Sequence, residues 1–321
     1  MHCYKGIWEK FTSFHSTNIA QQFLYRCYTK IGREDAKQKS YTNCYPFIYY
    51  LQHGENFYLT AYQAPLSIKP VLLFYGMVQL LKSCLLTVDA DYPESSSVLA
   101  HGVSTRKRKK QNYEFFYDEV KIQKYGLFTH FSEKMFHVKH LTGAKFHMRM
   151  LLQRISDLHE LFETYYNQQL SRKVLYEPLR QFVSIPVEIL DDYHMTFGRF
   201  INYITKEWSW IEKDSLQIEE EYIKATCAHP LKPLGCEPLM FSLDDRSYCL
   251  PIQREEIFQL PEIMCHYLLL YNLSMISRYE TEWWNELLHS YSSDAYPFIH
   301  RFLSVTSEKV PLLLYEYLCL K

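Results

Sequence analysis

The run VLLFYGMVQLLKSCLLTV (71–88) limits the fold more than any other stretch. Only Gln79, Lys82 and Ser83 interrupt its apolar side chains. At helical spacing these three fall on one narrow stripe, so the rest of the surface must be covered by other elements. A charge in the middle of a bilayer span is costly, so Lys82 favours a core helix over a membrane crossing, and no membrane partner is expected. Pro70 stands where the first turn of a helix tolerates proline.

The chain that must enclose this helix has 321 residues, room for two domains or one intertwined unit. Glycine is scarce, 9 residues, and neither GxGxxG nor GxxxxGK[ST] occurs, which disfavours the common Gly-rich phosphate cradles. A net charge of −1 means that nucleic-acid binding would have to come from a local basic patch. The N-terminus, MHCYKGIWEKF, lacks the apolar segment of a secretion signal. The nine cysteines are scattered, odd in number and without CxxC. They read as reduced thiols of a cytoplasmic protein, with no metal site and no cofactor expected.

Helical periodicity dominates the first hundred residues. Ser16 or Thr17 can begin a helix carrying Ile19, Phe23, Leu24, Cys27, Tyr28 and Ile31. REDAKQKSY reads as a polar connection, and the segment from Asn43 to Tyr62 reads as one or two helices with Gly54 as the break. YDEVKIQKYGLFTHF alternates around a KYG turn and is predicted to be a β-hairpin. Helical signals return over 146–166. QFVSIPVEIL (181–190) alternates as a strand, and Pro186 suggests an edge position. MFSLDDRSYCLPIQ (240–253) reads as a hairpin turning at Asp244, Asp245 and Arg246, and the chain is helical again from Pro261. The expected fold is α+β and predominantly α-helical, with small β-hairpins between N- and C-terminal helical parts. The expected division is 1–166 and 167–321, two regions that could also form one intertwined unit.

Arg106, Lys107, Arg108, Lys109 and Lys110 form an unbroken cationic run just after His101 and Gly102. Such a run is a solvated loop or it meets an anion: phosphate, RNA or an acidic protein surface. Arginine suits the second role through its planar, two-point donor fork. The imidazole of His101 beside those cations could move a proton or serve as a structural hydrogen-bonder. His130, His137, His140, His147 and His159 are a second cluster. His137 and His140 would share a helix face, yet no carboxylate–histidine pattern accompanies them and Lys134, Lys139 and Lys145 would oppose a divalent cation. The string RISDLH holds Arg154 and His159 at an R-x4-H spacing, which resembles the motif of HEPN-type ribonucleases. Ile155 stands where those enzymes usually have a polar residue, and positions i and i+5 need a local distortion to converge. Trp283 and Trp284 are either a partner anchor or a helix–helix contact.

The blocks KSYTNCYPFIYYLQHG, APLSIKPVLLFYGMVQLLKSCLLTVDADYPE, SVLAHGVSTRKRKKQNYEF, DEVKIQKYGLFTHF and HYLLLYNLSMISRYETEWW occur in this order over nearly the whole chain. They resemble the YaaC-like family of Bacillus and relatives. The resemblance supplies no catalytic residues. It implies a link to purine nucleotide metabolism, because the family's genes commonly neighbour that for IMP dehydrogenase, which is therefore one candidate protein partner. The residues and the resemblance together favour a non-enzymatic binding or regulatory protein that uses His101 and the run from Arg106 to Lys110. Its partner would be a protein, a phosphate-bearing ligand or RNA. The alternatives are a HEPN-like ribonuclease using Arg154 and His159, and a nucleotide sensor.

Overall fold

A computed structural model describes residues 3–105, 114–289 and 294–321. The chain divides into two compact units, Met1–Arg149 with His266–Lys321, and Met150–Cys265. The expected boundary at 166/167 lies inside the second of these stretches.

In the first unit α1 (Cys3–Phe11), α2 (Thr17–Lys30), α3 (Ala36–Gln63) and α4 (Lys69–Leu86) follow one another. α4 is the apolar run. It is the one described helix long and apolar enough to cross a membrane, and 67% of it is buried inside the protein. Leu73, Phe74, Met77, Leu81 and Leu85 are fully covered, each worth about 1.5–3 kcal/mol of burial. α3 is continuous through Gly54, contrary to the expected break, and begins within the stretch read as a polar connection. The reason lies in the neighbouring helix. A Cβ at Gly54 would stand 2.8 Å from Leu80 Cδ2, and one at Gly76 of α4 would stand 2.7 Å from Tyr58 Cδ2. The two glycines let α3 and α4 approach closely, and that packing outweighs the roughly 1 kcal/mol propensity cost of glycine in a helix.

A three-stranded antiparallel sheet follows, made by β1 (Val103–Thr105), β2 (Glu119–Ile122) and β3 (Lys145–His147) in that spatial order. The expected hairpin is half correct: β2 is a strand, but α5 (Leu127–Phe136) occupies its second arm. Leu127, Phe128, Phe131 and Met135 are buried at a helical period, which outweighs the short run of alternation.

The second unit opens with α6 (Met148–Gln153, its first two residues in the first unit's stretch) and α7 (His159–Tyr166), separated by a 3-10 turn over Ser156–Leu158. β4 (Ser171–Glu177) and β5 (Phe182–Pro186) lead to α8 (Ile189–Asp192) and α9 (Phe197–Glu207). Then come β6 (Gln217–Glu219), β7 (Tyr222–Thr226), β8 (Met240–Phe241) and β9 (Tyr248–Pro251). The six strands form one antiparallel sheet in the order β6-β7-β5-β4-β9-β8. Val183, Ile185, Ile223, Ala225 and Leu250 alternate onto its buried face. β5 is interior rather than an edge strand; Pro186 is tolerated as its last residue, where Val187 N–H resumes the ladder to Glu221 O at 3.0 Å. The 240–251 hairpin is present as expected, with Arg246 at φ 52° in its turn.

The chain completes the first unit with α10 (Glu262–Tyr279, its first residues in the second unit's stretch), α11 (Thr281–His289) and α12 (Ala295–Cys319). Asn272 of α10 donates to Asp118 Oδ2 beside β2 at 2.6 Å. Trp284 is buried and donates to Ser67 O at 2.8 Å, so it is an internal helix contact.

Candidate functional site

His101 sits in a turn that only glycine permits. Gly126 has φ 136°, and a Cβ there would lie 2.3 Å from Gly102 Cα and N. Gly102 itself has φ 79°. The two backbones pass in contact, and the N–H groups of Leu127 and Phe128 donate to Ala100 O and His101 O at 2.7 and 3.2 Å. The buried Tyr267 hydroxyl donates to the same His101 carbonyl at 2.9 Å. The backbone of His101 is therefore fixed from α5 and α10 together.

Its imidazole is half-buried among aromatic rings: Phe74 at 5.0 Å, Tyr271 at 5.7 Å and Tyr75 at 6.1 Å between centroids. Arg278, two turns beyond Tyr271 on α10, lies over Tyr75 at 5.7 Å and donates to its hydroxyl at 3.0 Å. Lys82, two turns beyond Tyr75 on α4, lies over Tyr50 at 5.6 Å. Burial, then the charges of Arg278 and Lys82, hold the His101 pKa below its ordinary 6.5. Burial likewise depresses Lys82. Among the described residues neither Lys82 nor Arg278 has a carboxylate within 4.0 Å. A half-buried cation without an anion is costly to desolvate, so the cluster presents unbalanced positive charge on an aromatic wall.

Arg106, Lys107, Arg108, Lys109 and Lys110 lie outside the described residues; β1 carries the chain from His101 and Gly102 to within one residue of them. Lys82 was legible only as a polar interruption of an apolar helix. Arg278 carried no sequence signal, because its partner Tyr75 lies 203 positions away.

The R-x4-H pair has separate partners. Arg154 is 1% exposed, donates from Nε to Leu260 O at 3.0 Å, and has Nη1 3.9 Å from Glu262. His159 lines a cleft of about 390 Å³ in the second unit, with both ring nitrogens hydrogen-bonded, to Ser171 Oγ at 2.8 Å and Gln153 O at 2.9 Å. The other histidines are dispersed. His130 bonds the buried Asp89 at 2.8 Å, whereas His137 and His140 lie beyond the end of α5 at φ 57° and 64° and share no helix face. Among the described residues no three His, Cys, Asp or Glu side chains are grouped to hold a metal.

These features define an α+β protein, 57% helical, with a cation-and-aromatic cluster in its helical unit. The chain belongs to the YaaC-like family: the family model, described as YaaC-like Protein, matches residues 12–318. No curated protein and no solved structure matches it.

Proposed function

We propose that the protein binds an anionic, phosphate-bearing ligand at the cluster of His101, Lys82 and Arg278, with binding rather than chemistry as the role of that site. The observation that carries this reading is the pair of half-buried cations that meet no carboxylate among the described residues. An oxyanion would supply the missing charge, and the partly exposed rings of Tyr50 and Tyr75 border it for a planar group. The cationic run from Arg106 to Lys110 is four residues downstream of Gly102 in sequence, and in this reading it extends the attraction for anions or for an acidic protein partner. A regulatory role and a link to purine nucleotides follow from the family's gene neighbourhood, and IMP dehydrogenase is the partner that neighbourhood suggests. Among the described residues eight cysteines are thiols outside any disulfide, six of them buried, which supports a reducing cytoplasmic setting. The ribonuclease alternative has less support, because a guanidinium as buried as that of Arg154 does not offer its donors to a phosphate chain.

Calorimetric titration tests the reading with inorganic phosphate, a purine nucleoside monophosphate and the corresponding nucleoside. The monophosphate should bind, and Lys82→Ala and Arg278→Ala should each weaken it about ten- to a hundredfold, the worth of a charge-assisted hydrogen bond of about 1.5–3 kcal/mol. Equal affinity in the double variant, or binding of the nucleoside alone, would remove the basis for the proposal.

A further inference from the structure

The second unit holds a side-chain arrangement that is independent of the anion cluster. His159, the first residue of α7, bonds a carbonyl through Nε2 (Gln153 O, 2.9 Å) and a hydroxyl through Nδ1 (Ser171 Oγ, 2.8 Å). A carbonyl only accepts, so in the neutral ring Nε2 must carry the proton. Nδ1 is then a bare lone pair, and Ser171 must donate its hydroxyl proton to it. The tautomer is thus fixed by the backbone, and the base faces the serine. This is the geometric relation that activates a serine nucleophile: a base within hydrogen-bond reach, itself oriented by a third group.

Both residues line the same open cleft of about 390 Å³. Ser171 begins β4 opposite Pro251 of β9. Lys173, two residues on and therefore on the same face of the strand, lines the cleft, as does Gln169. Both bring hydrogen-bond donors to the cleft that could meet charge developing on a carbonyl oxygen, and the Gln169 amide donates to the Ser171 backbone carbonyl at 3.4 Å. The Lys173 ammonium is held by Asp245 at 2.6 Å, and Asp245 also accepts from Ser247 Oγ at 2.7 Å. Glu160, Glu163 and Asp245 on the cleft wall disfavour an anionic substrate.

We propose that Ser171 and His159 form a serine–histidine hydrolytic site, oriented by the Gln153 carbonyl, for a small uncharged or cationic carboxylic ester. Ser171 Oγ attacks the ester carbonyl carbon and its proton passes to His159 Nδ1, while Gln153 O stabilises the imidazolium through Nε2–H. The ester C–O bond breaks, and the leaving alkoxide takes the proton from Nδ1 and departs as an alcohol. Water then attacks the acyl-serine, gives its proton to Nδ1, and Ser171 regains that proton as the carboxylic acid leaves. The sum is ester plus water to acid plus alcohol.

A fluorophosphonate probe tests this directly, because it phosphonylates only an activated hydroxyl. Intact-mass and peptide analysis of the full chain should show one adduct, on Ser171, absent from Ser171→Ala. His159→Gln should label at least about a hundredfold more slowly, the usual contribution of a general base. If that variant melts early, His159→Gly with added imidazole keeps the question open to measurement: restored labelling supports a base, which a purely structural tie would not give. No adduct on the folded parent, an adduct elsewhere, or labelling of Ser171 at the parent rate in folded His159→Gln would each overturn the proposal.

Discussion

Replacing Gly126 by alanine should damage the fold and the anion cluster together. The residue sits at φ 136° and ψ 178°, a region that is essentially glycine-only and costs another residue about 1–3 kcal/mol. A methyl group there would also stand 2.3 Å from Gly102 Cα and N and 2.9 Å from Ala100 O. These are backbone atoms, so no side chain can swing aside, and the turn that carries His101 must open. Adding the clash to the strain gives a loss of at least about 3 kcal/mol, toward the severe end for a single substitution. For a unit of this size that lowers the melting temperature by roughly 6–12 °C. Gly143 is the control, with φ 84° but nothing within 4 Å of an added Cβ. Gly143→Ala should therefore cost only the strain, about 1 kcal/mol or slightly more. Thermal melts by circular dichroism, paired with the phosphate titration, provide the assay. If Gly126→Ala melts within 2 °C of the parent, about the shift of a sub-kilocalorie change, the close backbone passage is not what holds His101.

Acid should destabilise the first unit through His101. Its folded pKa lies below 6.5, so the unfolded chain binds more protons as the pH falls beneath that value, and the stability from the neutral ring is whole above it and declines below it. His101→Phe should flatten the fall in melting temperature between about pH 7 and 5, and a decline as steep as the parent's would refute the assignment. Asp89 gives the opposite case. Burial would raise its pKa, but the His130 hydrogen bond and Lys134 outweigh that and hold it low. His130→Ala should cost about 1–3 kcal/mol in denaturant melts, because a buried carboxylate oxygen loses its donor. Thiol alkylation should begin at Cys319 and Cys249, since burial pushes Cys27 to about 11 and Cys84 and Cys265 to about 12. The denatured protein, alkylated without reductant, should show nine modified cysteines, and fewer would mean a bridge or a bound metal. Replacing Arg106, Lys107 and Arg108 together by alanine should leave the melting temperature within a few degrees and reduce the salt dependence of anion or partner binding, since a run of like charges in the sequence carries no apolar side chain to pack.

The sequence alone determined the features that depend on near neighbours. The core helix of 69–86 follows from one polar stripe at helical period, and the 240–251 hairpin from alternation around Asp244, Asp245 and Arg246. The helix-dominated α+β class follows from the balance of such patterns. Tertiary structure decided what depends on a residue far away in the chain. Gly54 has the same local appearance whether it breaks a helix or admits a neighbour, and only Leu80 across the interface selects the second role. The segment 127–136 could alternate or spiral, and burial of Leu127, Phe128, Phe131 and Met135 makes it spiral. Pro186 signals an edge until β7 pairs with β5 and leaves the proline at the strand's end. The sites lie beyond sequence reasoning for the same reason. Arg278 meets Tyr75 across 203 positions, and Ser171 meets His159 across 12 positions only because a strand start and a helix start are brought side by side. Periodicity reports how one element is wetted; which charges and hydroxyls come to face one another is fixed only when the elements pack.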